Sequence, residues 1–168
     1  MRKALNWMFA AVLAVAATSA GLARESQDNA AGGNKSLAGA WFLDITPTSV
    51  PAFVSLGTFG ADGTLTNISS VSLAFPPGSP ASGVPESPGY GVWAKKGAQA
   101  YAVTFLTITQ DGTGAFSGKQ KVRATITVGP SGDDVTGVFQ VDVFDAGGNL
   151  LGSDTGTLTG TRIKVEPL

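Results

Sequence analysis

Residues 122–128 read Val-Arg-Ala-Thr-Ile-Thr-Val, and two neighbouring stretches keep the same rhythm: 101–106 (Tyr-Ala-Val-Thr-Phe-Leu) and 135–143 (Val-Thr-Gly-Val-Phe-Gln-Val-Asp-Val). Val122, Ala124, Ile126 and Val128 fall on one parity, while Arg123, Thr125 and Thr127 fall on the other. A period of two, rich in β-branched and aromatic residues, marks strands with one buried face. Between such runs stand Ala61-Asp62-Gly63-Thr64, Gln110-Asp111-Gly112, Pro130-Ser131-Gly132-Asp133 and Asp145-Ala146-Gly147-Gly148-Asn149. Asp-Gly and Gly-Asn pairs favour the positive-φ turns that match strand twist, so the runs are expected to be joined as sequential hairpins.

Working outward, eight strands are predicted near 39–46, 52–60, 64–70, 90–95, 99–109, 114–129, 134–145 and 150–165. The last strands carry interior glycines (Gly118, Gly137, Gly152, Gly156, Gly160), which mark bulges or corners. An open sheet leaves its first and last strands unpaired; a meander that closes on itself does not. The expected fold is therefore all-β, a single antiparallel up-and-down barrel over 37–168. One segment interrupts it: five prolines in the thirteen residues 76–88 place a long loop at 74–89.

The chain has 168 residues, 43% hydrophobic and 14% charged, with a net charge of −1 and neither Cys nor His. A Ser-His-Asp triad, a Cys nucleophile, disulfides and ordinary zinc, haem or iron–sulfur sites are excluded. No cofactor is expected, and without a basic run nucleic acid is not an expected partner. Arg2 and Lys3 precede an apolar run over 4–17 and the small-residue stretch 18–23, the pattern of a secretory signal peptide cleaved after Ala20 or, by preference, Ala23. Residues 1–23 are read as that signal, 24–36 as a polar, flexible leader, and the product as periplasmic or secreted. Loss of Arg2 and Lys3 takes the formal charge to −3.

The first strand contains Gly39-Ala40-Trp41 and the last Gly160-Thr161-Arg162. In this the chain resembles the lipocalins of the calycin superfamily, whose G-x-W Trp sits at a closed barrel end with a basic side chain from a final strand packed across it. The resemblance implies that Gly39, Trp41 and Arg162 close the barrel, through a cation–π contact and guanidinium hydrogen bonds. The chain departs from typical lipocalins in lacking disulfides, the T-D-Y motif and a recognisable C-terminal helix. With Phe59-Gly60-Ala61-Asp62-Gly63-Thr64 and Gly91-Val92-Trp93 it is also similar to uncharacterised exported bacterial proteins of this layout.

Candidate chemistry is sparse. Asp62, Asp111, Asp133 and Asp145 lie in turns, where Asp caps the backbone. Asp142 and Asp154 flank the last hairpin as potential cross-strand neighbours, the only carboxylate pair a glycosidase reading finds. Asp145, Asn149 and Asp154 are too few for a calcium loop. Asn67-Ile68-Ser69 matches a glycosylation sequon. Trp93, Tyr101, Phe105 and Phe139, with Phe116 nearby, lie on the middle strands and are the candidate walls of an apolar pocket. An eight-stranded barrel either fills with its own side chains or holds one small ligand. The first reading is a carrier of a small hydrophobic molecule. The second is a filled structural or interaction barrel, with an enzymatic variant similar to allene-oxide-cyclase or dirigent barrels. A small outer-membrane barrel is the least favoured of the three.

Overall fold

The computed structural model describes residues 35–73 and 86–168. The predicted signal peptide, residues 24–34 of the leader and residues 74–85 of the Pro-rich loop lie outside the described residues. Eight strands follow one another: β1 (Gly39–Pro47), β2 (Phe53–Phe59), β3 (Thr64–Ser69), β4 (Gly89–Lys95), β5 (Ala100–Gln110), β6 (Phe116–Val128), β7 (Asp134–Asp145) and β8 (Leu150–Arg162). A four-residue helical turn, α1 (Ser70–Leu73), follows β3. Each strand pairs antiparallel with the next, and β8 returns to β1 from Trp41↔Arg162 to Pro47↔Gly156, so the sheet closes as an up-and-down barrel.

The hairpins form for the local reasons their residues supply. Asp62 Oδ1 accepts from the Thr64 N–H at 3.0 Å and hydroxyl at 2.6 Å, while Gly63 takes φ +87°. Asp111 does the same for Thr113, with Gly114 at φ +86°. Asp145 binds Asn149 through both carboxylate oxygens, at 2.8 and 2.9 Å, around Gly148. These carboxylates hold turns together, and the hydrogen bonds they accept, led by those from the Thr64, Thr113 and Asn149 side chains, keep all three pKa values below the ordinary carboxylate range.

The two barrel ends differ in what fills them. At the end carrying the β2–β3, β4–β5 and β6–β7 turns, Trp41, Leu37, Val128 and Val135 are fully or almost fully buried. The Arg162 guanidinium lies 4.2 Å from the Trp41 ring centroid. Its Nε donates to Gly132 O at 2.8 Å, Nη1 to Ala38 O and Nη2 to Ser36 O, each at 2.7 Å. Lysine has no such planar fork and could not reach three carbonyls at once. Burial lowers the pKa of Arg162 and the nearby Asp133 carboxylate opposes that shift; an arginine so placed stays charged at any ordinary pH. Gly39 adopts φ +130°, and a Cβ there would stand 2.6 Å from Arg162 Nη1, which is why no larger residue fits.

Residues 35–38 complete this closure. The Trp41 indole N–H donates to Leu37 O at 2.8 Å and the Tyr101 hydroxyl to Lys35 O at 3.0 Å. Lys35 and Ser36, at the end of the stretch read as leader, are thus tied down by the barrel floor.

Candidate functional site

Away from this floor the interior is hollow. A cavity of about 380 Å³ opens toward the end that carries the β1–β2, β3–β4, β5–β6 and β7–β8 connections. Its size falls at the small end of ligand pockets, which run to roughly 300–1,000 Å³. The middle of the cup is apolar: Leu43 and Ile45 of β1, Val103 and Phe105 of β5, Val122, Ala124 and Ile126 of β6, Phe139 and Val141 of β7, and Leu158 of β8. The alternation seen in the sequence puts these side chains inside and Arg123, Thr125 and Thr127 outside.

Glycines shape the walls by letting aromatic rings lie flat across neighbouring strands. A Cβ at Gly89 would stand 2.6 Å from Phe105 Cδ2, and one at Gly156 would stand 2.6 Å from Phe139 Cζ. Each inward ring occupies the space a side chain on the adjacent strand would take. Phe105 of β5 and Phe139 of β7 thus lie over Gly89 and Gly156, on the sides away from β6, whose Val122 and Ala124 line the cavity between them.

The four aromatic residues expected to line a pocket therefore divide into two pairs. Phe105 and Phe139 line the cup. Trp93 and Tyr101 lie at the floor, edge to face with ring centroids 5.4 Å apart, and Trp93 donates from its indole N–H to Gly60 O at 2.9 Å. They border a separate pocket of about 320 Å³ with Lys35 and Lys95. Phe116 is outside altogether, 52% exposed beyond the bulge between Thr109 and Gln110. Parity alone gives the face a residue takes but not its depth: Tyr101 and Phe105 share a face, yet four residues of strand separate them by about 13 Å.

The Asp142–Asp154 pair is overturned by register. The ladder sets Asp142 against Ser153 and Val141 against Asp154, so the two carboxylates point to opposite faces of the sheet. Asp142, on the outer face, is 8% exposed, accepting from Ser153 Oγ at 2.7 Å, Gln140 Nε2 at 2.8 Å and Arg123 Nη2 at 2.5 Å. Those hydrogen bonds, led by Ser153, hold its pKa below the usual value. The acid–base arrangement of a glycosidase is not formed by Asp142 and Asp154. Asn67 of the sequon also faces inward, lining the cup.

The mouth is polar. Glu86, which bridges to Thr109 of β5, accepts a hydrogen bond from the buried Thr107 hydroxyl. Across the opening Asp154 accepts from the Ser49 N–H and hydroxyl, both at 3.1 Å, binding the β1–β2 connection to β8. Burial works against ionisation of Asp154, but the Thr155 and Ser49 donors outweigh it and its pKa lies below the ordinary value. Asn67 donates from Nδ2 to Ser55 Oγ at 2.7 Å and Leu56 O at 3.3 Å, which leaves its carbonyl oxygen toward the cavity. The sequence signals none of this rim, because Glu86 belongs to a stretch legible only as Pro-rich loop and the face that Asp154 takes depends on the bulge between Val143 and Phe144.

Compared with protein-family models, with curated proteins and with solved structures, the chain finds no match in any of the three. The closed eight-stranded antiparallel barrel is compatible with a lipocalin-like fold, and what the cup does is argued from its own geometry.

Proposed function

We propose that this chain is an exported, lipocalin-like barrel that binds or carries one small, mainly apolar molecule in the cup. The observation that carries this reading is the hollow between Phe105 and Phe139. Interiors normally pack to crystal-like density, and voids larger than a water are few. Here a space that accommodates a ligand on the order of ten non-hydrogen atoms is held open next to a densely packed floor. Among the described residues that line it, the ionisable groups are Glu86 and Asp154, which accept hydrogen bonds from the Thr107 and Ser49 hydroxyls, so binding without reaction is the simpler account. The G-x-W strand and the arginine across its indole support the calycin reading; the export signal in residues 1–23 supports a periplasmic or secreted location.

A membrane-spanning barrel fits less well. Such barrels carry a continuous apolar band outside and polar groups within. This one has the reverse interior, and its β6–β8 outer face bears Lys119, Lys121, Arg123 and a row of exposed threonines from Thr155 to Thr161. The remaining outer surface supports a second reading, an interaction barrel. Phe42 pairs with Leu56 and Tyr90 with Leu106 on the outside of β1–β5, all at least 40% exposed.

A fluorescence titration separates the two. With 1-anilinonaphthalene-8-sulfonate or an uncharged naphthylamine dye, the carrier reading expects saturation at one uncharged dye per chain and competition by short alkyl alcohols. Failure of the uncharged dye and of every alkyl competitor to bind would remove it.

A further inference from the structure

We infer that the floor end carries a second binding site, for a small aromatic carboxylate, in the pocket bordered by Trp93, Tyr101, Lys35 and Lys95. The pocket measures about 320 Å³ and shares no lining residue with the cup. That volume is at the small end of ligand pockets, which run to roughly 300–1,000 Å³. The inference is independent of what the cup holds.

The walls are rings in fixed orientations. Trp93 and Tyr101 stand on the paired strands β4 and β5, with centroids 5.4 Å apart and planes at 68°. Phe59 meets the Trp93 ring edge to face at 6.4 Å. The indole N–H is committed to Gly60 O and the Tyr101 hydroxyl to Lys35 O. What the two side chains offer a guest is therefore ring surface, and an aromatic guest gains from offset or edge-to-face contact with it.

Tyr101 also gathers the two cations. Lys95, the last residue of β4, is its registered partner and shares a face with Trp93 two residues earlier. Lys35 is tied in by the bond that its own carbonyl accepts from the Tyr101 hydroxyl. Both lysines are exposed. Among the described residues no carboxylate pairs with either; the ion pairs formed there are Arg123–Asp142, Arg162–Asp133 and Lys164–Asp133. The carboxylates of the neighbouring turns are engaged elsewhere, Asp62 with Thr64, Asp133 with Lys164 and Asp134 with Ser131.

Charge and shape together define the guest. A planar acid can lay its ring against Trp93 while its carboxylate meets Lys35 and Lys95. Hydrogen bonds between ammonium and carboxylate are stronger than neutral ones, and at an exposed site salt screens them. An inorganic anion would use the lysines and leave the rings idle; an uncharged arene would do the reverse.

Naphthalene-2-carboxylate and naphthalene-2-carboxamide share a ring system and differ in charge. Each is titrated into the full chain at pH 7, with affinity read from the Trp93 indole N–H signal, which reports this pocket and not the cup. The carboxylate is expected to shift that signal saturably and to bind about fivefold or more tightly than the amide, the scale set by two exposed ion pairs. Raising salt from about 0.01 M to about 1 M should narrow the gap. In Lys35→Gln/Lys95→Gln the carboxylate should fall to within about twofold of the amide. Neither lysine side chain braces the fold, so the Trp41 indole signal should stay in place in that variant. Equal affinities of acid and amide at Trp93, no saturable shift there, a gap that survives removal of both lysines, or inorganic phosphate binding as tightly as the naphthoate would each overturn the inference.

Discussion

Trp41→Ala lowers the stability of the barrel by about 3–5 kcal/mol, the usual cost of deleting a buried indole, and Tm by on the order of 10–20 °C. Among the described residues Trp41 is the largest side chain that is fully buried. Its removal leaves a void under Leu37 and takes away the face on which the Arg162 guanidinium lies, a contact worth about 0.5–2 kcal/mol by itself. It also frees Leu37 O, which accepts the indole N–H, so residues 35–38 lose one of their anchors. The neighbouring Phe42 is the internal control, being equally aromatic but 40% exposed on the outer face. Phe42→Ala should cost no more than about 1 kcal/mol. Thermal unfolding followed by near-ultraviolet circular dichroism compares the two; equal losses would mean that the floor is not where the fold is secured.

Ala124→Phe should abolish binding while the barrel persists. Ala124 faces inward between Val103 of β5 and Phe139 of β7, the registered partners on either side. A ring at this position enters the space between Phe105 and Phe139 and removes most of the volume left for a guest. The expected loss is at least tenfold in affinity for the uncharged dye, equivalent to about 1.4 kcal/mol or more. Overpacking costs stability too, by roughly 1–3 kcal/mol, so circular dichroism should report an intact sheet with a lowered Tm. Thr125→Phe adds the same ring one residue along, on the outside, and should leave dye affinity unchanged. Parallel loss of binding in both variants would place the dye on the outer surface.

The strands were legible in the sequence because burial on one face imposes a period of two, and the hairpins because Asp, Gly and Asn are chosen for backbone geometry. That is why the predicted segments lie within a few residues of β1–β8 and why closure by Trp41 and Arg162 could be anticipated from a family resemblance. Depth and register were not legible. Depth requires knowing where the floor ends, and Tyr101 and Phe105 look alike to a parity argument. Register near the last hairpin turns on the bulge between Val143 and Phe144; a one-residue slip exchanges the faces of every side chain, and no residue type announces it. Gly156, which the pattern marks only as a bulge or corner, receives the Phe139 ring, and Gly89, at the end of the Pro-rich loop, receives that of Phe105. The polar rim joins residues far apart in the chain, Ser49 with Asp154 and Glu86 with Thr107, and such pairs emerge only once the barrel is closed.

The central claim, an open apolar cup that holds a guest, is tested most directly by locating a bound alkyl alcohol through methyl chemical shifts. Adding octan-1-ol should move the signals of Val122, Ala124, Val141 and Leu158, together with the Phe105 and Phe139 rings, and leave Leu37, Val128 and Val135 in place. Shifts confined to Val54, Leu56, Val92 and Leu106 on the outer face, or no saturable shift anywhere, would contradict it.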